Sequence, residues 1–347
     1  MDIIDCIFED NTVPMSAVYH VGGGPLLVAS SIFRNNVAEE ALEPDGGTMS
    51  NSGKGSAMRV DGGILQVRDS IFDSNTQYKQ GTLYTWETHN ISVTNCTFVN
   101  NEATDGRAGA VCFEVDKSNM DRSSLQVRGS TFKGNKCQAE GGALYTLRIK
   151  KVNISNCLFE ENESTGGPGG GAYVLRPQED DNKNVPTASR LDVLDSVFRA
   201  NTNVDSCDTT CKDGGGLYVL QVSNVTIDKC TFEENRAGAK GGGLYVQPYV
   251  AHTNSDVRVL RTSIRNNEAA TNGGGAFVGS SGATTFSDVE FLDNSAGLCG
   301  NQPVRRVHDD AAVLALSSGD EPASPRHRAG IASMAWRSTR RFSTNAP

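Results

Sequence analysis

Four of the nine cysteines occupy one place in a recurring phrase. Cys6, Cys96, Cys157 and Cys230 each stand two residues before a phenylalanine and five before an asparagine. Thiols at a fixed spacing are what a disulfide framework or a metal site would write. No C-x-x-C or H-x-x-H accompanies them, so a zinc-type site is not expected. His20, His89, His252, His308 and His327 are isolated and share no place in the phrase. Cys207 and Cys211 lie together in NVDSCDTTCKDGGG. They read either as a short loop disulfide of an exported protein or as two free loop thiols. Five N-x-S/T sequons occur, of which Asn90, Asn95, Asn153 and Asn224 are candidate glycosylation positions in a eukaryotic secretory route. N-V-T and N-I-S are also what β-rich repeats write without any glycan. Asn162, the fifth, belongs to the recurring phrase and is expected to be buried. Runs such as GGPGGG from Gly166 lack the lysine and helix of a phosphate loop and read as turn glycines.

The phrase itself governs the chain. Ten anchors carry it: Phe8, Phe33, Phe72, Phe98, Phe132, Phe159, Phe198, Phe232, Ile264 and Phe291. Three residues after each stands an asparagine: Asn11, Asn36, Asn75, Asn101, Asn135, Asn162, Asn201, Asn235, Asn267 and Asn294. Five residues before each anchor the residue is always apolar, as in Val93, Val127, Ile154, Val193 and Ile227; seven before, it is apolar in all but Thr284. Both pairs have the two-residue period of a strand with one buried face. A third strand about sixteen residues upstream reads GGALYT, GGGLYV or GGGAFV. Anchors stand 25 to 39 residues apart, the longer gaps holding inserts such as RPQEDDNKNVPTAS. Three short strands cannot bury their own inner face, but stacked repeats can. The expected fold is therefore all-β: a parallel β-helix of about ten coils over residues 1–300.

Stacking explains the cysteines. Two residues before the anchor every side chain but Val289 is small: Cys, Ser or Thr. Successive cysteines lie at least two coils apart, about 9–10 Å at the usual strand spacing, which is too far for a disulfide. Cys96, Cys157 and Cys230 are thus expected to be buried structural thiols. Phe98, Phe132, Phe159, Phe198 and Phe232 are expected to stack, and Asn101, Asn135, Asn162, Asn201 and Asn235 to mark a bend in left-handed conformation while hydrogen-bonding up and down the stack.

The net charge is −9, and the stretch from Gly300 holds seven arginines against four acids, a net +3, so the body carries −12. That body argues against nucleic-acid binding. No apolar run is long enough to span a bilayer as a helix. Residues 301–347, rich in Pro, Ser and Arg, carry no repeat and are expected to be a disordered basic tail. The opening MDIIDCIFEDN starts inside the first repeat, with no signal peptide before it, which reads as a truncated N-terminus.

The pairing of GGA[I/L/Y] with F-x-x-N over residues 1–300 resembles the repeats of polymorphic outer membrane proteins, and more generally right-handed parallel β-helices of the pectin-lyase-like kind. The resemblance implies a right-handed solenoid that is secreted or displayed at the cell surface for adhesion, with glycans or cell-surface and matrix proteins as partners. Among pectin-lyase-like enzymes, RIK at Arg148–Lys150 resembles a fragment of a polygalacturonase motif, but its N-T-D and G-H-G partners are missing. The expectation is accordingly a non-catalytic, monomeric, extracellular or surface protein without cofactor or metal. The alternatives are a carbohydrate-active enzyme of the pectin-lyase-like class and a structural fragment with no partner.

Overall fold

The computed structural model describes residues 1–40, 52–116, 119–176, 188–203, 212–248, 255–279, 283–297 and 314–317. Within them the chain winds into a parallel β-helix of four sheets, here called A to D. Each coil after the first, whose sheet A strand is only Asp2–Ile4, contributes a five-residue strand to sheet A (Asn90–Thr94, Ser124–Arg128, Lys151–Ser155), and every coil then adds a three-residue strand to sheet B (Thr97–Val99, Thr131–Lys133, Leu158–Glu160). A two-residue strand follows in sheet C (Glu102–Ala103, Lys136–Cys137, Glu163–Ser164), and the next coil opens with a four-residue strand in sheet D (Val111–Glu114, Leu144–Leu147, Ala172–Leu175). Sheets A, B and D each stack ten strands. Sheet C falls into runs of six and three strands, joined by Thr202, which bridges Glu163 and Arg236. Register is strict: Phe98 lies opposite Phe132, and Phe132 opposite Phe159.

Three expectations are corrected here. The coil has four strands and not three, because the two residues after each asparagine pair with their counterparts above and below, except after Asn201, where Thr202 alone bridges. The left-handed residue is not the ladder asparagine but the one before it, for example Asn100, Glu161 and Glu234 at φ 53°, 56° and 59°. A second left-handed residue precedes each small position, as at Asn95, Asn156 and Lys229. Each is a one-residue corner that turns the chain between strands. Finally, the stretch after residue 300 is not wholly outside the helix: Leu314–Ser317 forms a strand paired in parallel with Ala276–Gly279. The last strand of a sheet leaves an open row of backbone donors and acceptors, and this strand takes it up.

The core is one continuous apolar column built from the inward residues of sheets A, B and D. Phenylalanine rings stack from Phe8 to Phe232 with centroids 4.6–5.0 Å apart; the Phe98–Phe132 and Phe159–Phe198 planes differ by only 2° and 1°. Beside them runs an unbroken amide ladder. Asn162 Nδ2 donates to Asn201 Oδ1 at 2.9 Å and to the Phe132 carbonyl at 3.0 Å, while its own Oδ1 accepts from the backbone N–H and the Nδ2 of Asn135, both at 3.0 Å. Asn101, Asn135, Asn201 and Asn235 repeat the same four bonds with their neighbours. A buried amide is tolerated because every donor and acceptor is met.

The glycine run and the asparagine meet in space. A Cβ on Gly216 or Gly243 would lie 3.1 or 3.0 Å from the side-chain carbon of Asn235 or Asn267. The first glycine of the run is needed for a different reason: Gly241 has φ +68°, and a Cβ there would stand 2.4 Å from the Leu244 carbonyl oxygen. The two halves of the repeat signature are thus one packing unit.

Candidate ligand-binding face

The outer faces differ in how far they satisfy themselves. On sheet B, outward residues of successive coils alternate in sign: Lys133, Glu160, Arg199, Glu233, Arg265. Lys133 Nζ lies 2.9 Å from Glu160, Arg199 pairs with both Glu160 and Glu233, and Arg265 lies 2.6 Å from Glu233. Hydrogen bonds from Lys133 and Arg199 hold the Glu160 carboxyl below its ordinary range. Sheet C continues the pattern with Lys136–Glu163 and Arg236–Glu268. These charges spend themselves on one another.

Sheet D turns an aromatic column outward. Tyr145, Tyr173, Tyr218, Tyr245 and Phe277 stack at 4.7–5.1 Å and are nonetheless buried. Where the row holds Arg59 and Cys112 instead of rings, cations fill in. The Arg59 guanidinium lies over Tyr19 and Tyr84, Lys54 over Tyr84, and Arg107 over Tyr145, at 5.1–5.4 Å. Tyr84 Oη donates to Glu114 Oε2 at 3.1 Å. This face too is closed by its own contacts.

Sheet A is different. Its outward row reads Gln66, Ser92, Gln126, Asn153, Asp192 and Thr226 in register, one per coil. The neighbouring row runs Asn90, Ser124, Lys151, Arg190 and Asn224. Between the fifth and seventh coils these rows line a groove of about 420 Å³ bounded by Ser124, Gln126, Lys151, Asn153, Arg190 and Asp192. Arg190 Nε donates to Asp192 Oδ2 at 2.6 Å, but Asp192 Oδ1 is buried and has no hydrogen-bond partner. The groove therefore offers amide donors and acceptors, one unspent carboxylate oxygen and two cations at its rim.

Four of the five sequons fall on this same face or on the corner after it. Asn90 and Asn95 are exposed, Asn153 and Asn224 half-buried, and Asn162 fully buried within the amide ladder. Asn153 lies in the groove itself. Cys207 and Cys211 lie outside the described residues. The groove was not singled out from sequence, since outward strand positions follow no rule of type.

Three of the four recurring cysteines are buried structural thiols. Cys96, Cys157 and Cys230 are buried, and each thiol donates to the carbonyl two residues before it, at 3.2–3.4 Å. Ser70, Ser130 and Ser196 make the same bond at 2.7–3.0 Å in their coils. Burial pushes the Cys96 and Cys157 thiols up to about 11 and that of Cys230 up to about 12. A thiol held neutral at physiological pH is a poor nucleophile. Cys157→Ser is expected to change stability by no more than about 0.5 kcal/mol. A shift in the denaturation midpoint comparable to that of a core truncation would overturn the equivalence of the two side chains. Among the described residues no group of His, Cys, Asp and Glu is placed to hold a metal ion, and no helix is long and apolar enough to cross a membrane.

The family model described as a right handed beta helix region matches residues 1–176 and 181–306. The chain belongs to that family. The stacked parallel sheets of this right-handed β-helix carry the match through the tenth coil. No curated protein and no solved structure matches the chain.

Proposed function

We propose that this right-handed β-helix is a non-catalytic extracellular or surface-displayed repeat protein that holds a glycan along the outer face of sheet A. The observation that carries the reading is the groove at Gln126, Asn153 and Asp192, where amides stand in register from coil to coil and a buried carboxylate oxygen lacks a partner. Hydroxyl groups of a sugar are suited to both, because they donate and accept. Repetition at the strand spacing, about 4.8 Å, suits an extended chain lying across several coils. The resemblance of the GGA[I/L/Y] and F-x-x-N elements to polymorphic outer membrane protein repeats supports surface display for the same scaffold.

The test is a glycan array probed with the full chain, produced in a host that does not N-glycosylate so that Asn153 stays free. Binding to a defined set of glycans is expected, and Q126A/N153A should abolish it while leaving the denaturation midpoint in place. An array without any binding, or binding indifferent to this double substitution, would remove the reading. Release of shortened sugars from a bound polysaccharide would instead make the chain a carbohydrate-active enzyme.

A further inference from the structure

Exposed apolar side chains gather on the first three coils. Among the described residues eight large apolar side chains are exposed, and seven of them, from Met1 to Ile71, belong to these coils; Leu292 is the eighth. On sheet B they fall into register. Ile7 lies opposite Ile32 and Ile32 opposite Ile71, all three in the outward place just before the anchor phenylalanine. Ile7 is 65% and Ile71 42% exposed, and Ile4 stands 46% exposed across the corner. In the next two coils the same place holds Thr97 and Thr131. A contiguous exposed apolar row of this kind marks a contact surface.

The rim of the row is acidic. Asp5, Glu9, Asp10, Asp69 and Asp73 flank it. The only cations along the same stretches are Arg34, paired with Glu9, and Arg68, paired with Asp69, so the rim keeps a net −3. Residues 41–51, outside the described ones, add Glu43 and Asp45 and no cation. A second copy would bring −3 against −3, and an anionic lipid surface would be repelled as well. The occupant that fits is apolar and cationic together. One segment of this chain is both. Residues 318–347 hold five arginines against two acids, a net +3, with Ile331, Met334, Trp336 and Phe342 among them. They follow Leu314–Ser317, which pairs at the far end of sheet D. From there to the third coil is eight strand steps, about 40 Å at the usual strand spacing. The 19 residues from Ser317 to Trp336 span about 60 Å when extended, which leaves length to pass round the coil from sheet D to sheet B.

We propose that residues 318–347 lie back along the solenoid and cover the isoleucine row, with Trp336 seated on Ile32 and Ile71 and the tail's arginines against Asp5, Asp10 and Asp73. The tryptophan supplies the larger share of the contact, because an aromatic side chain of this kind buries about 150–250 Å². The arginines fix position and direction, since exposed ion pairs contribute little each. The row lies on other coils and another sheet than the groove, so the proposal stands or falls apart from the glycan-binding reading.

The chain has two tryptophans, so W86F leaves Trp336 as the only one. In the full chain carrying W86F its emission is expected at shorter wavelength than in a peptide of residues 318–347, with acrylamide quenching several-fold weaker and neither depending on protein concentration. I7T/I32T/I71T, which introduces the residue already present as Thr97 and Thr131, should return both to the peptide's values. V197T, on the same row in the seventh coil, should change neither. Emission and quenching equal to the peptide's, or unaltered by the triple substitution, would overturn the proposal. So would a blue shift that grows with concentration, which would place the tail on a second copy. Amide exchange of the unsubstituted chain reads the same contact without W86F: residues 331–342 are expected to be protected, and to lose that protection in I7T/I32T/I71T. Absence of protection there would overturn the proposal equally.

Discussion

Asn162→Leu is expected to destabilise the solenoid by about 4 kcal/mol, because it orphans two or three buried groups at about 1–3 kcal/mol each. The leucine fills roughly the same volume, so packing loss is not the cause. Asn135 would lose the acceptor for its backbone N–H and for one side-chain N–H, and the Phe132 carbonyl would lose a donor. None of these groups is exposed to water, since Asn135 and Phe132 are both fully buried. The comparison is Asn11→Leu at the end of the ladder. Asn11 is half-buried and its side chain bonds only to Asn36 Oδ1, so the cost there should stay below about 1 kcal/mol. Chemical denaturation of both variants checks the pair. If Asn162→Leu moved the midpoint no further than Cys157→Ser, the amide ladder would be an ornament of the fold and not a support.

The inward half of each coil was legible in the sequence for a physical reason. An inward position in a stacked solenoid touches its own equivalents above and below, so each coil selects the same residue type as its neighbours. Val93, Val127, Ile154 and Val193 stack in register, as do Phe98, Phe132, Phe159 and Phe198. The two-residue strands of sheet C escaped notice because a pair of residues cannot display a period, and their inward members, Ala103, Cys137, Ser164 and Ala237, are merely small. The left-handed corners escaped because they accept Asn100, Glu161, Ala200 and Glu234 alike. A single strained residue between two hydrogen-bonded strands is held there by its neighbours, whatever its own preference. Leu314–Ser317 carries none of the anchors that mark other coils, so nothing in its sequence placed it on sheet D. The groove was the least legible of all. Outward residues meet solvent or ligand, and the pressure that makes the core repeat does not act on them.

That difference between repeated core and variable surface predicts how truncation of the aromatic stack should behave. Phe159→Ala is expected to cost about 3–5 kcal/mol, the range for removing a buried aromatic side chain and leaving a cavity. Phe159 is fully buried, and its ring stacks on Phe132 at 4.6 Å and on Phe198 at 4.7 Å, so both neighbours lose a face. The backbone cannot close the gap, because the strands on either side are tied in register to the coils above and below. Phe159→Ile should cost about 1–2 kcal/mol, since Ile264 already occupies this position in the ninth coil and conservative swaps leave most of the volume filled. Phe8→Ala in the first coil has only one stacking partner and a half-exposed ring, so its cost should fall near the lower value. Because each coil of a solenoid contacts only its neighbours, the interior substitution should also lower cooperativity, splitting the unfolding transition at the sixth coil. Amide hydrogen exchange would show this directly, as lost protection in strands Thr131–Lys133, Leu158–Glu160 and Val197–Arg199 before the rest. Equal loss of protection along the whole length would mean that the ten coils fold as one unit and that the stack transmits strain further than nearest-neighbour packing allows.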